Sequence, residues 1–105
     1  MVQVVDIIDQ MVEKIRNHFH PEKIILFGSY AGGSPGRDSD VDLLVVMPVA
    51  GSVRKKSVEI RCVLHGMGVA KDIIVVTPES LSKYGHIPGS IIHHALTRGT
   101  VLYEQ

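Results

Sequence analysis

The stretch KIILFGSYAGGSPGRDSDVDLLVVM, residues 23–47, decides how this chain folds. Its two apolar runs, residues 23–27 and 41–47, are rich in large aliphatic side chains and predict two β-strands. The segment between them contains Gly, Ser, Pro, Arg and Asp, which indicate a loop over residues 31–39. Gly28-Ser29 ends the first strand and leads into a helical turn. The stretch therefore predicts two strands joined by a long polar connection.

Apolar periodicity on both sides of this stretch predicts helices that alternate with further strands. On the N-terminal side, apolar residues recur every three or four positions and predict a helix over residues 3–18, which Pro21 ends. On the C-terminal side, Thr77-Pro78-Glu79 has the N-cap, proline and acid that start a helix. The other predicted elements there are a helix over residues 53–65, a strand over 70–76, a helix over 90–98 and a strand over 100–103. The order α-β-α-β-α-β-α-α-β predicts an α/β (α+β) fold, with helices packed on one small mixed sheet.

Length and composition limit the classes of protein to which the chain can belong. Its 105 residues are 45% hydrophobic, enough for a single domain over residues 1–105 with its own core. The 11 basic and 11 acidic residues cancel, which argues against independent binding to nucleic acid. A single cysteine excludes an internal disulfide framework and a cysteine-built zinc site. The apolar runs are too short for a membrane span and the N-terminus does not resemble a signal peptide, so a cytoplasmic location is expected.

Three aspartates at the entry of or within predicted strands are the candidates for catalysis. Asp40 and Asp42 lie two positions apart at the start of a strand, so their carboxylates point to the same face. Asp72 lies in the next predicted strand, beside the pair if the two strands are neighbours. Neighbouring carboxylates repel one another unless a cation lies between them, and Mg²⁺ prefers carboxylate and phosphate oxygens. The pattern favours a two-metal centre for phosphoryl transfer.

Gly28 and Ser29 supply the other half of the predicted site. A glycine lets the backbone approach a phosphate closely, and the N-terminus of a following helix offers free N–H groups. Ser29 adds a hydroxyl donor. A Gly-Ser turn or a single aspartate is common and carries no functional weight alone. Two acids on one face at the head of an apolar strand, combined with Gly-Ser, favour the functional interpretation.

Other motifs indicate no alternative chemistry. The chain lacks the Gly-Lys-Ser/Thr of a P-loop, and residues 28–36 lack the Gly-x-Gly-x-x-Gly of a dinucleotide-binding fold. His93 and His94 are about 100° apart on a helix and cannot share a metal on one face. Cys62 is expected to be a buried or half-buried structural thiol.

The predicted helix over residues 53–65 has an apolar stripe and a basic face. The stripe is Val53, Ile60 and Leu64, and the basic residues are Arg54, Lys55, Lys56 and Arg61. We expect the stripe to be buried and the basic face to be solvated. Contact of the basic face with an acidic partner, or with RNA bound to that partner, is the alternative.

Taken together, GSYAGGSPGRDSDVDLLVV, residues 28–46, resembles the nucleotidyltransferase signature of the DNA polymerase β superfamily: Gly-Ser, ten residues, then Asp-x-Asp and an apolar strand. The short length, the N-terminal helix and the closing SIIHHALTRGTVLYE are similar to a minimal nucleotidyltransferase. Such proteins are antitoxins commonly encoded beside a HEPN ribonuclease toxin. The resemblance implies a polymerase β-like fold and transfer of AMP from ATP to a tyrosine of that toxin.

The resemblance also implies a role for each candidate residue. Asp40 and Asp42 would bind two Mg²⁺ ions, and Asp72, at the position of the family's third carboxylate, would bind the catalytic ion and help to activate the incoming hydroxyl. Gly28 and Ser29 would hold the triphosphate of ATP.

One position departs from the family pattern. Gly32 stands where many members have an arginine, and Arg37 in the same loop is the candidate to replace that phosphate contact.

The predicted function is Mg²⁺-dependent transfer of AMP to a protein hydroxyl, with a HEPN toxin as hetero-oligomeric partner. The alternative is a non-catalytic antitoxin that neutralises the toxin by direct binding, which the missing arginine favours. Transfer to tRNA or an antibiotic is weaker, because relatives with those substrates add a second domain for the acceptor.

Overall fold

The computed structural model describes residues 4–33 and 40–105. In these two ranges four helices and four strands follow one another along the chain. They are α1 (Val4–Phe19), β1 (Lys23–Phe27), β2 (Val41–Val46), α2 (Val53–Val63), β3 (Lys71–Val76), α3 (Pro78–Tyr84), α4 (Ile91–Arg98) and β4 (Thr100–Glu104). None of the described helices has the length and apolar character needed to span a bilayer.

The strands of the described ranges form one mixed sheet in the order β3-β2-β1-β4. β1 pairs antiparallel with both β2 and β4, whereas β2 and β3 are parallel. A parallel pair needs a crossover connection, and α2 lies in the connection between β2 and β3. This sheet with its helices confirms the α/β (α+β) fold class.

Each face of the sheet carries its own hydrophobic core, because alternate residues of a strand point to opposite sides. Leu43 of β2 belongs to a cluster with Met11 of α1 and Ile60 of α2. Leu44, the next residue, belongs to a second cluster with Ile92 of α4. The sheet therefore has an α1–α2 face and an α4 face, and the even-numbered residues of β2 lie on the α4 face.

Three helices begin at residues whose hydroxyl oxygens accept a hydrogen bond from a backbone N–H three residues later. Ser52 caps α2, Thr77 caps α3 and Ser90 caps α4, with N–O distances of 3.2, 3.1 and 3.0 Å. Pro78 follows the cap of α3 at the first helical position, where its missing N–H costs no hydrogen bond. The predicted start of α3 is confirmed.

The expected helical turn after Gly28-Ser29 is present, but the helix counted between β1 and β2 in the predicted order is not formed by the residues of this connection that the structure describes. Residues 28–33 form turns, in which the Gly32 N–H donates to the Gly28 carbonyl at 3.1 Å. Gly33 then takes a φ of +75°, outside the right-handed helical region. One helical turn is therefore made and not continued. The other element boundaries differ from the predicted ones by at most two residues.

Two expectations for α2 are also wrong. Val53 is exposed, because α2 packs on the core through its C-terminal half, where Ile60 and the capping residue Leu64 are fully buried. Cys62 is exposed rather than buried. It follows Ile60 by two residues and so lies about 200° away around the helix, on the outer face.

Candidate active site

The sheet places two of the predicted catalytic aspartates side by side. Asp42 of β2 and Asp72 of β3 are partners in the parallel register, on strands about 4.8 Å apart. Both lie on the α4 face, since Leu44 and Ile74, two residues further along each strand, pack in the cluster beneath α4. Asp42 is half-buried and Asp72 is exposed at the sheet edge. The condition for their proximity, that the two strands are neighbours, is therefore met.

The carboxyl group of Asp42 is the most perturbed acid of the site. Burial raises its pKa above the ordinary value of 3.8, and the negative charges of Asp72 and Asp40 raise the pKa further. Asp40 is exposed and lies immediately before β2. Like-charge repulsion among three acids at one end of a sheet is the electrostatic condition that a bound cation relieves.

Gly28 is held directly against Asp42. Phe27, the last residue of β1, is the register partner of Asp42, so the chain passes this carboxylate as it leaves the strand. A Cβ on Gly28 would collide with Asp42 Oδ2, and the Gly28 φ of +75° is one that L side chains rarely adopt. Both facts require glycine here. The predicted phosphate-binding turn and the predicted metal ligands are thus brought together, and Ser29 follows as an exposed residue.

Arg61 is a residue near the site that sequence reasoning did not assign to it. Its Nη2 atom lies 3.5 Å from Asp72 Oδ1, and both side chains are about half exposed. α2 precedes β3 and packs against it, which carries Arg61 to the sheet edge. The sequence signal was weak: a basic residue on a crossover helix, eleven positions before an aspartate in the next strand.

The donor chemistry of the three aspartates fits Mg²⁺. Carboxylate oxygens are hard ligands, and burial, together with the negative charges of Asp72 and Asp40, raises the pKa of Asp42. Within residues 4–33 and 40–105, however, no three Asp, Glu, His or Cys side chains are already arranged as a ligand set. The aspartates are a partial set, in which Asp72 is paired with Arg61.

Arg37, Gly32 and His93 are the remaining residues that the sequence analysis considered. Arg37 lies outside the described residues. Gly32, at the position of the family arginine, is exposed in the turn that follows Gly28. His93 Nδ1 lies 2.8 Å from the Gly85 carbonyl oxygen, an interaction that fixes the imidazole of α4 to the preceding loop.

A family comparison defines the class of protein. The family model described as nucleotidyltransferase domain matches residues 8–96, a range that includes all six predicted site residues. The chain belongs to this family and is a nucleotidyltransferase.

Individual relatives add detail. A protein of Methanocaldococcus jannaschii that is assigned as a protein adenylyltransferase is 32% identical over 110 residues, covering 95% of this chain and 71% of that protein. A toxin–antitoxin structure, MntA–HpeT with two aspartates changed to glutamate, matches with a TM-score of 0.66 and 17% identity over 92% of this chain and 73% of that one. Another toxin–antitoxin structure, with AMP-PNP, matches with a TM-score of 0.63 and 20% identity over 95% and 73%. At these identities the two structures support the fold.

Proposed function

We propose that this nucleotidyltransferase is an antitoxin that transfers AMP from ATP to a tyrosine hydroxyl of a HEPN ribonuclease toxin and thereby silences it. The observation that carries the proposal is the position of Asp42, which lies beside Asp72, two residues after Asp40 and against the backbone of Gly28. One small region thus combines acidic side chains with the Gly28-Ser29 turn.

In this proposal each residue of the site has a defined role in binding or catalysis. Asp40, Asp42 and Asp72 would hold two Mg²⁺ ions, which when bound would neutralise the triphosphate and lower the pKa of the acceptor hydroxyl. Gly28 lets the phosphates approach the backbone and Ser29 donates a hydrogen bond to them.

The chemistry is an exchange of one bond to phosphorus for another. The acceptor oxygen forms a bond to the α-phosphorus, the bond from that phosphorus to the bridging oxygen breaks, and pyrophosphate leaves. The hydroxyl proton passes to the carboxylate of Asp72. Arg37 takes the phosphate contact that the family's arginine makes elsewhere.

The relatives support the choice of AMP and of a protein acceptor. The name of the archaeal relative refers to protein adenylylation, and the neighbouring structures are toxin–antitoxin proteins, one of them with AMP-PNP. The single cysteine is consistent with a reducing compartment, and we propose a cytoplasmic location.

Intact-mass analysis of the toxin tests the proposal. After incubation with ATP, Mg²⁺ and substoichiometric amounts of this protein, we expect the toxin to gain about 329 Da, one AMP group, as a covalent product. The double variant Asp40→Asn/Asp42→Asn should leave the toxin mass unchanged. Asp9→Asn, on the exposed face of α1, is the matched control and should retain transfer. Labelling by the double variant would disprove the mechanism.

A second candidate function is neutralisation by binding alone. The ion pair between Arg61 and Asp72 favours it, because it occupies one predicted metal ligand, and so does Gly32 at the arginine position. A binding antitoxin must be present in a one-to-one ratio to inhibit the toxin and leaves its mass unchanged. The same mass measurement, repeated over a range of ratios, decides between the two functions.

A further inference from the structure

The C-terminal third of the chain is basic and carries no acid over a long segment. Residues 80–103 include Lys83, Arg98 and three histidines, with neither Asp nor Glu among them. Although the net charge of the whole chain is zero, its acidic and basic residues are unevenly distributed along the sequence. The acids are concentrated elsewhere, three of them at the candidate active site.

Exposed apolar side chains are concentrated in the same third. Among the described residues eight large hydrophobic side chains are exposed, and five of them lie between residues 84 and 101. These five are Tyr84, Ile87, Ile91, Leu96 and Val101. Exposed apolar side chains indicate an interaction surface where they lie beside groups that a partner can bind.

One face of α4 combines the two properties. Ile91, His94 and Arg98 follow one another at intervals of three and four residues, so they share one side of the helix. All three are exposed, and they line an open cavity of about 930 Å³. Within the described part of the chain, Arg98 has no ion-pair partner. We call these three residues the α4 docking face.

The α4 docking face borders the candidate active site. The His94 ring packs edge-on against the Phe27 ring, with centroids 6.3 Å apart. Phe27 is the register partner of Asp42 on the same face of the sheet. Phe27 therefore adjoins both His94 of this face and Asp42 in the neighbouring strand.

We propose that the α4 docking face binds the protein that receives AMP, by accepting an apolar segment that carries a carboxylate. Ile91 supplies apolar contact and Arg98 pairs with the carboxylate, which a guanidinium can bind through two hydrogen bonds. The docked segment then presents a hydroxyl next to Asp42. The inference rests on the proposed function and adds the surface and the chemistry of acceptor recognition.

The basic face of α2 is less suited to this role. Lys56 is paired with Glu59 at 2.7 Å and Arg61 with Asp72 at 3.5 Å. α2 also packs on the opposite face of the sheet, through Ile60. RNA is a poorer occupant of the α4 docking face than a protein, because RNA binding needs several phosphate contacts. Among the described residues that line this cavity, Arg98 is the one arginine or lysine.

Calorimetric titration of the purified, nuclease-treated toxin into this protein without nucleotide tests the proposal. Ile91→Asp and Arg98→Glu should each weaken the Kd by about tenfold or more, as expected for residues at the centre of an interface. Val58→Asp and Arg54→Glu are matched controls on exposed positions of α2 and should change the Kd by less than about twofold. Melting curves of each variant establish that it is folded. Ile91 is the first residue of α4, where an aspartate favours the helix.

The outcomes separate this inference from the proposed function. Unchanged binding by both α4 variants, or equal weakening by the α2 variants, overturns the α4 docking face and leaves AMP transfer intact. Binding that depends on α4, without any AMP on the toxin, supports the docking face and overturns the transfer. Binding by the unsubstituted chain only when RNA is left on the toxin, or no binding at all, overturns the docking face.

Discussion

Asp42 is the residue at which the described groups of the candidate site meet. Its register partners are Asp72 in β3 and Phe27 in β1, and its Oδ2 atom fills the space that a side chain on Gly28 would occupy. The negative charge of Asp42 is therefore unfavourable without a cation. Substitution of Asp42 tests the effect of its raised pKa, and substitution of Gly28 tests the close contact between the two residues.

Asp42→Asn should stabilise the metal-free protein at neutral pH. Because the folded-state pKa of Asp42 is raised, the folded state holds this proton more tightly than the unfolded state. Stability from this group is therefore full below the unfolded pKa and is lost as pH rises through the folded pKa. In EDTA at pH 7 we expect the variant to have the higher Tm, with the difference vanishing below pH ~4.

Melting curves over this pH range check the prediction. Mg²⁺ should raise the Tm of the unsubstituted protein more than that of the variant. A lower Tm for Asp42→Asn at pH 7 would show that the carboxylate makes a stabilising contact that outweighs the repulsion.

Gly28→Ala should impair the site more than the same change at Gly33. Both glycines have a φ of +75°, so both substitutions impose a similar backbone strain, of about 1 kcal/mol or more. A Cβ at Gly28 also collides with Asp42, whereas none of the described atoms lies within 4 Å of one at Gly33. We expect Gly28→Ala to lower AMP transfer at least about tenfold relative to Gly33→Ala. Equal rates in a transfer assay would contradict a close approach of backbone and carboxylate.

At the scale of elements, helices α2 and α4 lie on opposite faces of the sheet and contribute to different parts of the molecule. α2 places Arg61 beside Asp72 at the sheet edge. α4 is followed at once by β4, and Gly99 makes the junction between them. A Cβ on Gly99 would collide with the Ala95 carbonyl oxygen of α4, and it would lie 2.6 Å from Ile25 Cγ2 and 2.9 Å from the Leu26 carbonyl oxygen of β1.

Arg61→Gln should strengthen Mg²⁺ binding. The guanidinium neutralises part of the charge of Asp72 that would otherwise attract the cation, so its removal should tighten the Mg²⁺ Kd by about two- to tenfold. Because the pair is half exposed, the stability should change by less than about 1 kcal/mol. Calorimetric titration with Mg²⁺ measures the effect, and Arg54→Gln, exposed on the same helix, is the control. Weaker binding would show that Arg61 holds Asp72 in place for the metal.

Gly99→Ala should destabilise the fold by about 1–3 kcal/mol, because the added methyl group overpacks the junction. Gly32→Ala is the control, since a Cβ there would meet its nearest described atoms at ordinary contact distances of 3.7 and 3.8 Å. Urea unfolding compares the two. Equal urea midpoints for the two variants would show that the junction at Gly99 accommodates the methyl group without loss of stability.

At the scale of the whole molecule, the two faces of the sheet have different roles: one contains the larger hydrophobic core and the other carries the candidate active site. The α1–α2 face contains the larger hydrophobic cluster, whereas the α4 face carries Asp42, Asp72 and the α4 docking face. A protein with zero net charge does not attract an acidic partner over a long range, so we infer that recognition depends on this local surface.

Most of the elements and all of the candidate residues follow from local patterns in the amino-acid sequence. Strand β1 was predicted with its bounds, and Thr77-Pro78 predicted the start of α3, because periodicity, caps and turns depend on residues close in the chain. The spacing from Gly28-Ser29 to Asp40 and Asp42 likewise identified the family signature without any knowledge of contacts.

The contacts among these residues follow from tertiary packing, which the local patterns do not specify. The parallel register that pairs Asp42 with Asp72, the contact of Gly28 with Asp42 and the approach of Arg61 to Asp72 depend on strands and helices far apart in sequence. The exposure of Cys62 depends on which side of α2 packs on the sheet. Local patterns specify elements, but the packing of their apolar faces selects among many arrangements.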